Sequence, residues 1–332
     1  MKFLVIRFSS IGDIVLTTPV MRCLKTQIST AEVHFLTKKS FVGLMEANPY
    51  IDKIITLQDD FNNTVQALIE EDYDYVIDLH HNLRTLRIKR SLKKQTFAFD
   101  KLNFKKWLLT AFKINKMPDI HIVDRYLATA SNFGVTNDGK GLDYFIPEGK
   151  GVDVGKDLPL SHQAGYIGIV IGATYFTKRY PLDNLKSLCK KINHPVVLLG
   201  GKEDAAIGAE IAATDQYKIY NACGKFSLHE SADLVRNAKV VVSNDTGLMH
   251  IAAAFNKPIV SLWGNTVPEL GMYPYYGEKR SDSYAKSNIL EVKGLGCRPC
   301  SKIGYKKCPK GHFKCMVEIT PDSVISAISR LL

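Results

Sequence analysis

The chain has 332 residues, a formal net charge of +11, 45% hydrophobic and 23% charged residues. That length predicts two domains, each able to bury a core, and the ordinary apolar-to-charged balance excludes a disordered chain. The apolar run in "MKFLVIRF" is too short for a signal-peptide core, and no segment reaches the roughly 18 apolar residues of a membrane span, so a cytoplasmic protein is expected.

Residues 2 to 79 alternate β-rich runs with helical periodicity: "FLVIRF", a helix from about Asp13 to Gln27, "EVHFLT", a helix near Phe41 to Ala47, "KIITL", a helix near Asn62 to Glu71, and "YDYVIDL". Such alternation is the signature of βαβ units and a parallel sheet. The first strand runs into "SSIGDIV", where Ser10, Gly12 and Asp13 form a turn. Asp and Gly there suit a helix cap, and an acid at a strand end equally suits a general base, with Ser10 and Gly12 beside it for an acceptor.

At the fourth strand end, "DLHHNLRTLRIKR" supplies His80, Asn82, Arg84 and Arg87 as candidates for an anionic acceptor. From Arg84 to Lys116 there are eleven basic residues against the single acid Asp100, so nearly the whole net charge sits in one window. Inside it, Phe104, Trp107, Leu108, Ala111 and Phe112 share one helical face while Asn103, Lys105, Lys106, Thr110 and Lys113 share the other. This basic amphipathic helix near 102–114 fits an inner-leaflet membrane surface or an anionic glycolipid, and it equally fits a core-facing helix with a solvated lysine face. The same charge suits nucleic acid, but no recognised nucleic-acid module accompanies it, so nucleic acid is not an expected partner.

Residues 147 to 165 read as a linker, dividing an N-terminal domain (1–150) from a C-terminal one (151–332). The second alternation comprises "GYIGIVIGA", a helix near Leu182 to Lys191, "PVVLLGG", a helix near Ala205 to Ala213, "YKIYNA", a helix near Leu228 to Asn237, "AKVVVSND", a helix near Leu248 to Phe255 and "KPIVSLWG". Two doubly wound α/β domains in series are expected, with ligands at the carboxyl ends of the strands and a cleft between facing sheets. In "IGATYFTKRYP", Gly172 permits close backbone approach, Thr174 and Thr177 offer hydroxyls and Lys178 a compact cation; these are phosphate-binding parts, or simply a solvated loop. In "SNDTGLMH", Asp245, Thr246 and Gly247 precede a helix carrying His250, whose free N–H groups favour a phosphate. Neither a G-x-G-x-x-G after the first strand nor a P-loop occurs, which argues against a dinucleotide dehydrogenase and a P-loop NTPase.

A Cys-rich tail (294–316) precedes a terminal helix. Its Cys297, Cys300, Cys308 and Cys315 are spaced C-x₂-C-x₇-C-x₆-C; a structural zinc, reduced thiols and a disulfide all fit that spacing, and each gives a structural role. Cys23, Cys189 and Cys223 read as core residues.

The segments "VIRFSSIGDIVLTTPV" and "SNDTGLMHIAAAFNKPIVSLWGNT", with the "KRYP" turn and the "CRPC…CPKGHFKCM" tail, resemble the glycosyltransferase family 9 heptosyltransferases over nearly the whole chain. The resemblance implies a GT-B fold and inverting transfer of heptose from ADP-heptose to the lipopolysaccharide inner core. It further implies no obligatory metal, the acceptor on the N-terminal domain and the nucleotide sugar on the C-terminal one. Matched residue by residue, Asp13 corresponds to the family's general base and Lys178 to its diphosphate-contacting lysine. Asp245, Thr246, Gly247 and His250 match its donor-site turn, Thr174 a phosphate-contacting hydroxyl, and Glu203 an acid near the ribose. Tyr180 departs from the tryptophan of many members. The same scaffold also accommodates a transferase for another nucleotide sugar, or a non-catalytic nucleotide- or glycan-binding protein.

Overall fold

The computed structural model describes residues 1–277 and 285–332. The chain divides into two compact units, residues 1–101 with 120–147, and residues 102–119 with 148–332.

The first unit is built on five parallel strands, β1 (Lys2–Ile6), β2 (Glu32–Lys38), β3 (Lys53–Leu57), β4 (Tyr75–Asp78) and β5 (Gln95–Ala98), in the order β3-β2-β1-β4-β5. The central β1 reads as a continuous apolar run because both faces are covered: Phe3, Leu4, Val5 and Ile6 are fully buried. Ile6 pairs with both Leu36 and Asp78, so the carboxyl ends of β1 and β4 lie level, the turns that follow them cluster, and β2 runs two residues further to Lys38. Leu4, Ile6, Leu36, Leu68, Tyr73 and Ile88 form the core on one side.

Two local expectations in this unit change. The continuous helix expected from Asp13 to Gln27 is two helices, Ile11–Val15 and Thr18–Gln27. Pro19 has no N–H to continue the first, and the Thr17 hydroxyl instead donates to the Ile14 carbonyl at 2.6 Å. Near Phe41 to Ala47 the chain forms only 3₁₀ turns, Lys39–Leu44, a segment too short and too interrupted by Gly43 to reward a full helix.

The second unit carries six parallel strands, β6 (Ile167–Val170), β7 (Val196–Leu199), β8 (Ile219–Asn221), β9 (Val240–Asn244), β10 (Ile259–Trp263) and β11 (Ser287–Glu291), in the order β11-β10-β9-β6-β7-β8. Helices Leu182–Lys191, Ala205–Ala212, Leu228–Asn237 and Gly247–Ala254 connect them. The terminal helix Pro321–Leu331 buries Val324, Ala327 and Ile328 in the same core as Leu188, Val242 and Leu262. Gly172, directly after β6, admits no side chain, because a Cβ there would collide with the Asp204 carboxylate.

Segment 102–119 forms a helical turn Asn103–Trp107 and a π-helical turn Leu108–Phe112. The alternative of a core-facing apolar stripe is not what forms: Phe104, Trp107 and Phe112 are 69%, 52% and 57% exposed. The π turn shifts the register, so that Leu109 is the buried residue, against Val267, Leu270 and Met117. Among the described residues, no helix is long and apolar enough to cross a membrane.

Candidate functional site

In the first unit the chemistry collects at the carboxyl ends of β1 and β4. Arg7 follows β1 and is nearly buried; its Nε donates to the Ser9 carbonyl at 2.8 Å and its Nη1 to the Leu79 carbonyl at 2.6 Å and the Tyr126 hydroxyl at 3.0 Å. The remaining nitrogen, Nη2, lies 2.6 Å from Asp13 Oδ1. Asp13 Oδ2 accepts from the Ser10 N–H at 3.2 Å and the Ser10 hydroxyl at 2.7 Å, a capping box at the start of Ile11–Val15. Asp13 therefore does cap its helix, while a buried guanidinium orients its other oxygen. Gly12 is buried in the same turn. Arg7 is absent from the residues singled out in the sequence; an Arg at the end of an apolar strand is the signal that marks it.

After β4, the buried Asp78 accepts from the His80 and His81 N–H groups at 3.1 and 2.6 Å and pairs with Lys89 at 2.8 Å. The His80 ring packs on Phe8 at 4.8 Å between centroids. Burial first, then the positive charges of Arg7 and Lys101, pushes its imidazole down to about 4. At neutral pH His80 is thus an uncharged hydrogen-bonding group, not a cation for an anionic acceptor. Asn82 caps the helix Leu83–Leu92 by accepting from the Thr85 N–H at 3.0 Å. Arg87 lies over the Phe61 ring at 4.9 Å and donates to Asn62 at 2.9 Å. Arg84 instead faces a cavity of about 480 Å³ at the ends of β2 and β3, with Lys38, Lys39, Ser40, Phe61 and Asp59 among its lining residues. Arg7, Arg22, Lys25 and Lys89 are ion-paired, whereas Lys38, Lys39 and Arg84 pair with no carboxylate among the described residues. The cavity is therefore suited to an anionic group. Lys38, Lys39 and Ser40 carry no sequence motif, and only the strand register brings them beside Arg84.

In the second unit Lys178 Nζ lies 2.7 Å from Asp245 Oδ2, and the Thr266 hydroxyl donates to that same oxygen at 3.0 Å. Thr246 is the N-cap of Gly247–Ala254 and its side chain makes no cap hydrogen bond among the described residues, which leaves the helix start at the carboxyl end of β9 without that cap. His250 is buried within the helix. Thr174 and Glu203 are exposed near strand ends, after β6 and β7 respectively. The Thr177 hydroxyl, by contrast, is buried and accepts from the Tyr305 N–H at 2.8 Å, which makes it a clamp on the tail. Arg179 pairs with Asp204 at 3.0 Å beside Gly172. Tyr180 is buried and donates to the Ile319 carbonyl at 2.7 Å, so the aromatic ring serves packing.

All seven cysteines are free thiols, and Cys23, Cys189 and Cys223 lie in the core as expected. Burial pushes the Cys315 thiol up to about 12. Cys297 Sγ lies 3.8 Å from His312 Nε2, yet among the described residues no three of His, Cys, Asp and Glu converge as metal ligands must.

A model of glycosyltransferase family 9 (heptosyltransferase) matches residues 62–303. Lipooligosaccharide heptosyltransferase 2 of Haemophilus influenzae is 25% identical over 356 residues, covering 100% of this chain and 99% of the relative. Lipopolysaccharide heptosyltransferase 1 of Campylobacter coli is 28% identical with the same coverage. The solved structure of Escherichia coli ADP-heptose lps heptosyltransferase II superposes with a TM-score of 0.73 at 22% identity, covering 100% of this chain and 98% of that one.

Proposed function

The chain belongs to glycosyltransferase family 9, the heptosyltransferases, and on that premise we propose that it transfers heptose from ADP-heptose to a lipopolysaccharide inner-core acceptor with inversion. The observation that carries the reading is the arrangement in the second unit: a single ammonium, Lys178, stands with Asp245 at the open start of the helix Gly247–Ala254. That is the array a departing diphosphate requires.

The acceptor hydroxyl attacks the anomeric carbon as the C–O bond to the diphosphate breaks. Asp13, far less basic than a sugar alkoxide, takes the proton late, once the hydroxyl has become acidic by bonding to carbon. The electron pair leaves with ADP, whose charge is met by Lys178 and the N–H groups at Thr246 and Gly247, with Thr174 as a hydroxyl donor and Glu203 reaching the ribose. No obligatory metal enters the reaction. Lys38, Lys39, Ser40 and Arg84 hold an anionic group of the acceptor, with neutral His80 donating or accepting beside Asp13.

The acceptor is an anionic glycolipid, and the enzyme works on the cytoplasmic side as a peripheral membrane protein. The exposed rings of Phe104, Trp107 and Phe112, interleaved with Lys105, Lys106, Lys113 and Lys116, are the composition of an interfacial segment.

The test is thermal stabilisation by ADP, UDP, GDP and CMP at equal concentration. A ligand at about 100 times its dissociation constant adds roughly 2.7 kcal/mol, a readable shift. Stabilisation by ADP alone, followed by transfer to core lipid, is the expected result; a larger shift with UDP or GDP overturns the donor assignment, and binding without turnover overturns the enzymatic one.

A further inference from the structure

The Cys-rich tail is stitched to the donor end of the second unit by the arginine of its "CRPC" segment, a group to which neither the sequence reading nor the mechanism gives a role. Arg298 lies between Cys297 and Pro299, with its side chain only 7% exposed. Its guanidinium is spent on one turn and its neighbours: Nε donates to the Gly264 carbonyl at 2.6 Å and Nη2 to the Thr266 carbonyl at 3.0 Å. Nη2 also lies 2.7 Å from the nearly buried Glu291 carboxylate. A second set of bonds holds the same turn from the tail side. The Cys300 N–H donates to the Asn265 carbonyl at 3.0 Å, and Asn265 Nδ2 donates to Ser301 Oγ at 3.2 Å. Gly264 is wedged against the Lys178 turn so closely that a Cβ would sit 2.8 Å from the Thr177 carbonyl.

The held turn ends in Thr266, whose hydroxyl donates to Asp245 Oδ2, the oxygen that holds Lys178. A continuous path thus runs from Arg298 through the Gly264–Thr266 carbonyls and the Thr266 hydroxyl to Asp245 and the Lys178 ammonium. Only a planar fork reaches both carbonyls and the carboxylate together; a lysine satisfies Glu291 or one carbonyl. We infer that Arg298 is a positioning residue for phosphoryl charge stabilisation: the tail fixes the Gly264–Thr266 turn, and the turn fixes where Lys178 meets the diphosphate of the nucleotide sugar. This rests on the reading of Lys178 given above. The role differs from general stability, because displacing a stabilising cation by a fraction of an ångström affects the breaking bond more than the bound ground state.

The experiment is a double-substitution cycle on the full chain with ADP-heptose and core lipid. Arg298→Lys is expected to lower kcat about tenfold with donor KM and ADP affinity changed less than about threefold. In a Lys178→Ala background the same substitution is expected to change kcat less than about twofold, since the group it positions is gone. Equal fractional losses in both backgrounds, or a wild-type kcat for Arg298→Lys, overturn the inference. Should Arg298→Lys fail to give a cooperative thermal transition, Thr266→Val carries the same cycle, because it removes the hydroxyl on Asp245 and leaves Arg298 and Glu291 paired. Its loss is again expected only when Lys178 is present, and additivity again overturns the inference. A Lys178→Ala enzyme with unimpaired kcat removes the premise itself, an outcome distinct from additivity with an impaired Lys178→Ala enzyme.

Discussion

Replacing Asp13 by asparagine separates its helix-capping bonds from the base role proposed for it, because the amide is isosteric with the carboxylate but carries no charge. With its carbonyl turned toward Ser10, the new side chain would keep both capping bonds that Asp13 Oδ2 now accepts at 3.2 and 2.7 Å. Its NH₂ would then face Arg7 Nη2, donor against donor, where the native pair is 2.6 Å apart. Arg7 keeps the Ser9 and Leu79 carbonyls and the Tyr126 hydroxyl, so its charge is not stripped of partners. The loss is therefore that of one charged hydrogen bond, about 1.5–3 kcal/mol, placed near 2 because the Asp13 side chain is 23% exposed. At roughly 2–4 °C per kcal/mol, the thermal transition should fall by about 4–8 °C. The chemical effect is far larger, since a general base contributes about 10²–10⁴ in rate. Differential scanning fluorimetry on Asp13→Asn gives the first quantity, and ADP release coupled to core-lipid transfer gives the second. ADP affinity should be unchanged, because Asp13 belongs to the other unit from the residues proposed to hold the donor. A transition that drops as worked while kcat stays within about threefold of wild type would refute the base assignment and leave Asp13 as a helix cap.

Three further outcomes follow from the same geometry. Side-chain hydrogen bonding from Lys2 and then Lys53 holds the Glu71 carboxyl down at about 2. Its folded value lies below its unfolded value near 4.3, so its stabilisation is full above that and fades as pH falls toward 2. Urea titrations of wild type and Glu71→Gln should therefore show their full gap at about pH 6 and a gap that narrows as pH falls through about 4 toward 2; a constant gap would contradict the assignment. Gly172→Ala places a Cβ on the buried Asp204 carboxylate, which pairs with Arg179, and should cost about 1–3 kcal/mol, read as a lowered thermal transition; wild-type stability would show that Asp204 yields freely. The pair Phe104→Ser and Trp107→Ser should abolish co-sedimentation with phosphatidylglycerol vesicles and leave the thermal transition in place, because both rings are exposed; unchanged sedimentation would place membrane contact elsewhere.

Much of the molecule is legible in the order of its residues. Strands β1, β4, β6, β7, β9 and β10 announce themselves as apolar runs because a parallel sheet covered on both faces leaves no polar side to interrupt them. Helices Leu182–Lys191 and Leu228–Asn237 carry their apolar spacing and start at Pro181 and Ser227, and their observed bounds match the sequence expectation. The edge strands β5 and β11 escape notice. Gln95–Ala98 sits inside the basic window and Ser287–Glu291 beyond the last regular alternation, and an edge strand has one neighbour and less need of an apolar run.

Sequence alone determined the fold class, the family motifs and the acids and cations that stand at strand ends, because each rests on local periodicity or on residues adjacent in the chain. Tertiary structure decided which of those side chains are already spent. Thr177 is a clamp and Asn82 a cap, while Phe104, Trp107 and Phe112 face outward and Leu109 is the buried residue of their segment. It also decided the partners that lie far apart in sequence, Arg7 with Tyr126, Arg84 with Lys38, and Arg298 with Gly264 and Glu291. The physical reason is that a hydrogen bond or ion pair is set by distances of about 3 Å in space, and parallel crossovers bring together residues whose separation along the chain carries no local signal.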